Sequence, residues 1–85
     1  MKKTLLNRIS INKKICHGKP HIRGTRIMVQ QVLDLLAAGA SPEEIIKEDF
    51  PDLSGQDIQA CIAFASKLVK NELIEVYETE IANPE

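Results

Sequence analysis

Apolar residues change their spacing twice along this chain, and the changes divide it into elements. Arg8-Ile9-Ser10-Ile11-Asn12 alternates polar and apolar, the period of a strand with one buried face. Asn12-Lys13-Lys14 then reads as a turn, and a second short extended piece is expected at Ile22-Arg23, ahead of Gly24. From Met28 the period becomes helical. Val29, Val32, Leu33 and Leu36 stand at i, i+3, i+4 and i+7, with Leu35 widening the apolar face. Gly39 supplies the stop. Ser41-Pro42-Glu43-Glu44 opens a second helix with a capping serine, a proline at the first helical position and an acid able to reach back to the cap. That helix ends before Phe50, because Pro51 disfavours α geometry at the residue ahead of it. Ser54, with Asp57 in the first turn, opens a third helix. Its apolar positions are Ile58, Cys61, Ile62, Ala65, Leu68 and Val69.

The expected fold is therefore mainly α: a three-helix, helix-turn-helix-like domain with a short amino-terminal β and loop segment. Residues 1–28 form a basic strand and loop, residues 29–71 the helical core, and residues 72–85 an acidic tail, all within one domain. Eighty-five residues bury a limited share of their surface, and such chains are often completed by a second copy. Ile9 and Ile11 need a strand partner, and three short helices leave Leu35, Val76 and Tyr77 with few neighbours, so a homodimer is expected. No apolar run approaches the roughly 20 residues that span a bilayer. The early residues are broken by Asn7 and Arg8, unlike a secretory leader, so a cytoplasmic location with reduced Cys16 and Cys61 is expected.

Charge changes this picture. The net charge of −1 hides a division: residues 1–33 hold eight Lys or Arg and no acid, while residues 34–85 hold three Lys or Arg and all twelve acids. Such asymmetry suits one surface that faces a polyanion, and it equally suits two halves that attract one another. Ile15–Val29 concentrates the cations, with Lys19, Arg23 and Arg26 set among Gly18, Pro20 and Gly24. Glycine and proline exclude a regular helix there, so the stretch reads as a shaped loop. Guanidinium groups beside backbone N–H groups bind phosphate or carboxylate, which makes Lys19, Arg23, Gly24, Thr25 and Arg26 the candidate anion site. A structural elbow with solvated charges explains the same residues without a ligand.

The third helix offers Gln56 and Gln59 as readers of adenine edges. Against this, Asp49, Asp52 and Asp57 make an acidic approach to phosphate, so the basic third of the chain is the better candidate for backbone contact. Cys16, His17 and His21 match no compact zinc spacing, and no cofactor is expected. Gly18-Lys19-Pro20 lacks the Ser or Thr and the preceding glycine of a phosphate loop, and the acids fall on helix starts and the tail, so an enzyme is not expected.

Gly18-Lys19-Pro20, Ile22-Arg23-Gly24-Thr25-Arg26-Ile27, the Ser41-Pro42-Glu43-Glu44-Ile45 start and Phe50-Pro51-x-Leu53-Ser54-x-x-Asp57-Ile58 together resemble a small prokaryotic family, domain of unknown function 433. The likeness runs over about residues 9–70. Met28 stands where that family commonly has proline, and Phe50 where tyrosine is frequent. The resemblance implies a helix-turn-helix-like fold and, for many members, the role of a VapB-like antitoxin whose partner is a PIN-like ribonuclease toxin. In that setting the partner contact falls to the acidic end, with Glu72, Glu75, Tyr77, Glu78 and Glu80, or to the arginine loop, and operator DNA is a second partner. A stand-alone DNA-binding regulator and a protein-interaction adaptor without DNA contact are the alternatives.

Overall fold

The computed structural model describes residues 5–70. Two short strands, β1 (Ile9–Ser10) and β2 (His21–Ile22), pair antiparallel with Ile9 opposite Ile22 and Ser10 opposite His21. The alternating pattern from Arg8 to Asn12 overstates the first strand: pairing stops at Ser10, and Ile11 is 63% exposed. The second extended piece lies one residue earlier than Ile22-Arg23. Of the two possible partners for this strand, a neighbouring segment or a second subunit, the chain itself supplies one in β2.

After β2 the chain reverses sharply. The Thr25 N–H donates to the Ile22 carbonyl at 2.9 Å, and Gly24 takes φ +83° at the third position of this turn, where a Cβ would be strained. The Thr25 hydroxyl donates to the same Ile22 carbonyl at 2.7 Å and accepts from the Ile27 N–H at 3.0 Å. A bridge from His21 to Met28 then delivers the chain into α1 (Val29–Ala37). The Met28 N–H at its start donates to the Gln31 side chain at 2.8 Å. The helix ends in a Schellman arrangement: Gly39 at φ +102°, with Gly39 N–H to Leu36 O and Ala40 N–H to Leu35 O both at 3.0 Å.

The helical starts follow the capping chemistry. In α2 (Pro42–Glu44), Ser41 Oγ accepts from Glu44 N–H at 3.1 Å, and Glu44 Oε1 accepts from Ser41 N–H at 2.8 Å. The helix widens into a π-type turn over Ile45–Asp49, closed by Phe50 N–H to Ile45 O at 2.8 Å. Phe50, ahead of Pro51, has left the helical region at φ −134° and ψ 77°. Five residues later α3 (Gly55–Leu68) begins, capped by Ser54, whose N–H donates to Asp57 Oδ2 at 2.9 Å.

One core serves all these elements. Val32, Ile45, Ala60 and Cys61 are fully buried, with Ile9, Ile22, Val29, Leu53 and Ile58 around them. The strand residues thus share the core of the helices, which joins the basic segment to the helical one. Leu33, Leu35 and Leu36 pack against this core half-buried, while Ile62 and Val69, expected on the buried face of α3, are 48% and 50% exposed. The small residue Ala60 sits inside instead, where the helix passes close to its neighbours.

Two arginines fasten β1. Arg8 Nη1 lies 3.0 Å from Asp57 Oδ1, and its other terminal nitrogen donates to Gln56 Oε1, across nearly fifty residues of sequence. Arg23 Nε donates to the Asn7 carbonyl at 2.8 Å and Nη2 to the Ile9 carbonyl at 3.3 Å. Arg23→Gln should therefore cost about 1 kcal/mol of stability, and Asp57→Ala, which removes both a cap and the Arg8 bridge, about 2 kcal/mol. Lys13→Gln, at an exposed side chain without such contacts, should stay within about 0.5 kcal/mol. Urea unfolding midpoints at unchanged slope check this ordering.

Burial, with the charge of Asp57 second, pushes the Cys61 thiol up from 9.0 to about 11. Between those values the unfolded chain gives up a proton that the folded chain keeps, so the folded state loses stability as pH rises. The slope from this group is about 1.4 kcal/mol per pH unit. Stability measured against pH should show this loss above pH 9 in the native chain, and Cys61→Ala should remove that part of it.

Candidate nucleic-acid interface

The basic loop is built on an unusual backbone. Cys16 at φ +54°, His17 at +57° and Gly18 at +80° form a left-handed turn, closed by Gly18 N–H to Ile15 O and Lys19 N–H to Cys16 O, both at 3.0 Å. Two non-glycine residues in this region cost on the order of 1 kcal/mol each, which surrounding contacts must offset. One such contact is the Cys16 thiol, 3.3 Å from the Arg26 carbonyl. Gly18 lies beside Lys13, where a Cβ added to it would meet Lys13 Cα at an ordinary packing distance of 3.8 Å. The turn thus meets the rest of the loop at the Lys13 backbone and at the Arg26 carbonyl, and the cations at these places are Lys13, with Lys14 next in sequence, and Arg26. All three are exposed, and the whole of residues 1–33 contains no carboxylate side chain.

The expected anion residues do not act as one group. Arg23 turns back onto the Asn7 and Ile9 carbonyls, and the Thr25 hydroxyl is engaged in its own turn. Gly24 serves the chain reversal through its positive φ. Lys19 lies elsewhere, on the rim of an open apolar groove between α1 and α3 whose volume is about 290 Å3. Arg26 is left as the loop arginine with an exposed side chain and no hydrogen bond or ion pair from that side chain among the described residues. Spacing in the sequence indicated Lys19, Arg23 and Arg26 alike. Lys13 and Lys14 had only the charge count as a signal, because the left-handed turn that follows them depends on non-glycine residues at positive φ.

At the start of α3, Gln59 lies exposed in a shallow cleft with Pro42 and Ile62. Gln56 shares that cleft, but its side-chain oxygen accepts from Arg8. The Asp57 carboxylate is likewise shared between the Ser54 N–H and Arg8. A base edge would meet Gln59 directly, and would meet Gln56 only after Arg8 let go. The partner-contact residues expected at Glu72, Glu75, Tyr77, Glu78 and Glu80 lie outside the described residues.

His21 is buried, its ring nitrogen 3.3 Å from the Lys19 carbonyl, whereas His17 is exposed on the turn. Among the described residues no three His, Cys, Asp or Glu side chains gather as metal ligands, and Cys16 and Cys61 are both free thiols. No helix among the described residues is long and apolar enough to cross a membrane.

Comparison with known proteins places this pattern. No curated protein matches the sequence. Among solved structures, a DUF433 member protein from Anabaena variabilis superposes with a TM-score of 0.66 at 30% sequence identity, over 94% of this chain and 73% of that one. The family model described as protein of unknown function (DUF433) matches residues 9–65, from β1 through most of α3. The motif-bearing loop, the two capped helix starts and the solved relative agree, and the chain belongs to the DUF433 family.

Proposed function

We propose that this chain is the antitoxin of a type II toxin–antitoxin pair, which neutralises a PIN-like ribonuclease toxin in the cytoplasm and binds its own operator DNA. The observation that supports the DNA half of this function is the left-handed turn, with Gly18 beside the Lys13 backbone and Cys16 on the Arg26 carbonyl, in a stretch that exposes Lys13, Lys14 and Arg26 and contains no acid. Exposed cations on a rigid loop suit phosphate oxygens, since the loop's conformational entropy has already been lost on folding. The start of α3, with Gln59 open to solvent, supplies a weaker base-reading element beside it. Neutralisation of the toxin rests on the likeness described above and on the charge division. The acidic end, residues 72–85, is the segment left for the toxin when the basic loop lies on DNA.

One observation favours a second reading, a protein-interaction adaptor without DNA contact. Arg8 occupies both Gln56 and Asp57, and Asp49, Asp52 and Asp57 surround the approach to α3 with negative charge. A titration of the chain's own upstream DNA at several salt concentrations separates the two. If Lys13, Lys14 and Arg26 each neutralise one phosphate, Arg26→Gln should flatten the slope of log affinity against log salt by about 0.9 for each chain bound. It should weaken all sequences alike, while Gln59→Ala should leave the slope unchanged and alter only preference among sequences. Absence of DNA binding by the native chain, alone and with its toxin, would select the adaptor.

The toxin half has its own test. Co-expressed with the neighbouring reading frame, the full chain should co-purify with the toxin and suppress its ribonuclease activity. Removal of residues 72–85 should abolish both, and survival of both would move the contact to the basic loop.

A further inference from the structure

The groove between α1 and α3 remains unused by these readings. Its apolar lining comes from Met28 and Leu33 on one side and Phe64 and Leu68 on the other, all of them only partly buried. Lys19 and Asp34 stand on its rim, and both are exposed. They are held apart along α1. The Val29 N–H donates to the Pro20 carbonyl at 3.0 Å, which fixes Lys19 beside the first turn, and Asp34 follows five residues on, about 7.5 Å up the axis. Among the described residues the one ion pair is Arg8–Asp57, so Lys19 and Asp34 do not neutralise each other within the chain.

We propose that this groove is the contact face of a symmetric dimer, its occupant a second copy of the same chain. A two-fold axis across the groove places the Lys19 end of one copy against the Asp34 end of the other, and the same pair forms twice. A surface with one cation and one carboxylate at opposite ends of an apolar strip is complementary to itself, as an isologous contact requires. The strip also answers a shortfall in the single chain. Nine buried apolar residues among those described make a small core, while Leu33 and Phe64 pack against it only partly covered, as is Leu68 in the groove. The copy that covers them adds apolar burial at the place where the core ends. The proposal concerns assembly alone and depends on neither operator nor toxin.

Light scattering and sedimentation of the full chain, without DNA or toxin, provide the test. The native chain should have twice the chain mass at tens of micromolar. Lys19→Asp and Asp34→Lys each replace two attractive contacts by two repulsive ones, and each should raise the dimer dissociation constant about tenfold or more. Both changes on one chain should bring it back to within about threefold of the native value, with circular dichroism unchanged throughout. A native chain that stays monomeric over this range would overturn the proposal. So would a dimer that neither reversal weakens, or single losses that the combined variant does not recover. A monomer that dimerises only after removal of residues 71–85 would assign the groove to the chain's own end and overturn it as well.

Discussion

The fold depends on the carboxylate of Asp57. One of its oxygens accepts from the Ser54 N–H and closes the cap of α3; the other holds Arg8. Through Arg8 the cap is joined to β1, because the Arg8 carbonyl accepts from the Arg23 N–H at 2.8 Å, and Arg23 in turn clasps the Asn7 and Ile9 carbonyls. A five-residue alternating segment has too few ladder bonds to persist by itself. Tied at one end to a helix cap and sealed by Ile9 against the core, two paired residues suffice. The same carboxylate adds to the burial that keeps Cys61 protonated, so one side chain influences the cap, the strand and the core.

That dependence sorts the cations. Eight of them precede residue 34, and from composition they form one undifferentiated basic block. In the fold Arg8 and Arg23 work as fasteners, with guanidinium geometry that suits two acceptors at once. Lys19 lies over apolar surface, where a long aliphatic stem can cover carbon while the ammonium stays in water. Lys13, Lys14 and Arg26 are exposed in the stretch that holds the left-handed turn, and Lys2 and Lys3 fall outside the described residues. Cys16 and His17 hold positive φ while the neighbouring Gly18 meets the Lys13 backbone and the Cys16 thiol meets the Arg26 carbonyl.

The groove and the loop express the same limit of size. A chain of 85 residues cannot enclose every apolar position that three helices present. The apolar stripe of α3 is wider than the face the domain covers, so that Ile58 and Cys61 are sealed while Ile62, next to Cys61, and Val69, about two turns on, are half in water. Exposed apolar surface of this kind is suited to contacts with other molecules.

By itself the sequence determined the parts whose causes are local. The Ser41–Glu44 and Ser54–Asp57 boxes, the Gly39 stop, the ending at Phe50 before Pro51 and the five-residue link to α3 each arise from residues within a few positions of one another, and all are legible as spacing. Family membership is legible for the same reason, since its motifs are those caps and the glycine loop. Tertiary structure alone decided which apolar residues are inside and which charges are engaged. Periodicity marks Ile62 and Cys61 as equals, but only packing against β1 and α1 seals one and leaves the other exposed. Charge counting likewise ranks Arg23 with Arg26. The difference between them is the position of the Asn7 and Ile9 carbonyls, brought within 2.8 and 3.3 Å of one guanidinium by contacts between residues far apart in the chain, which no local pattern encodes.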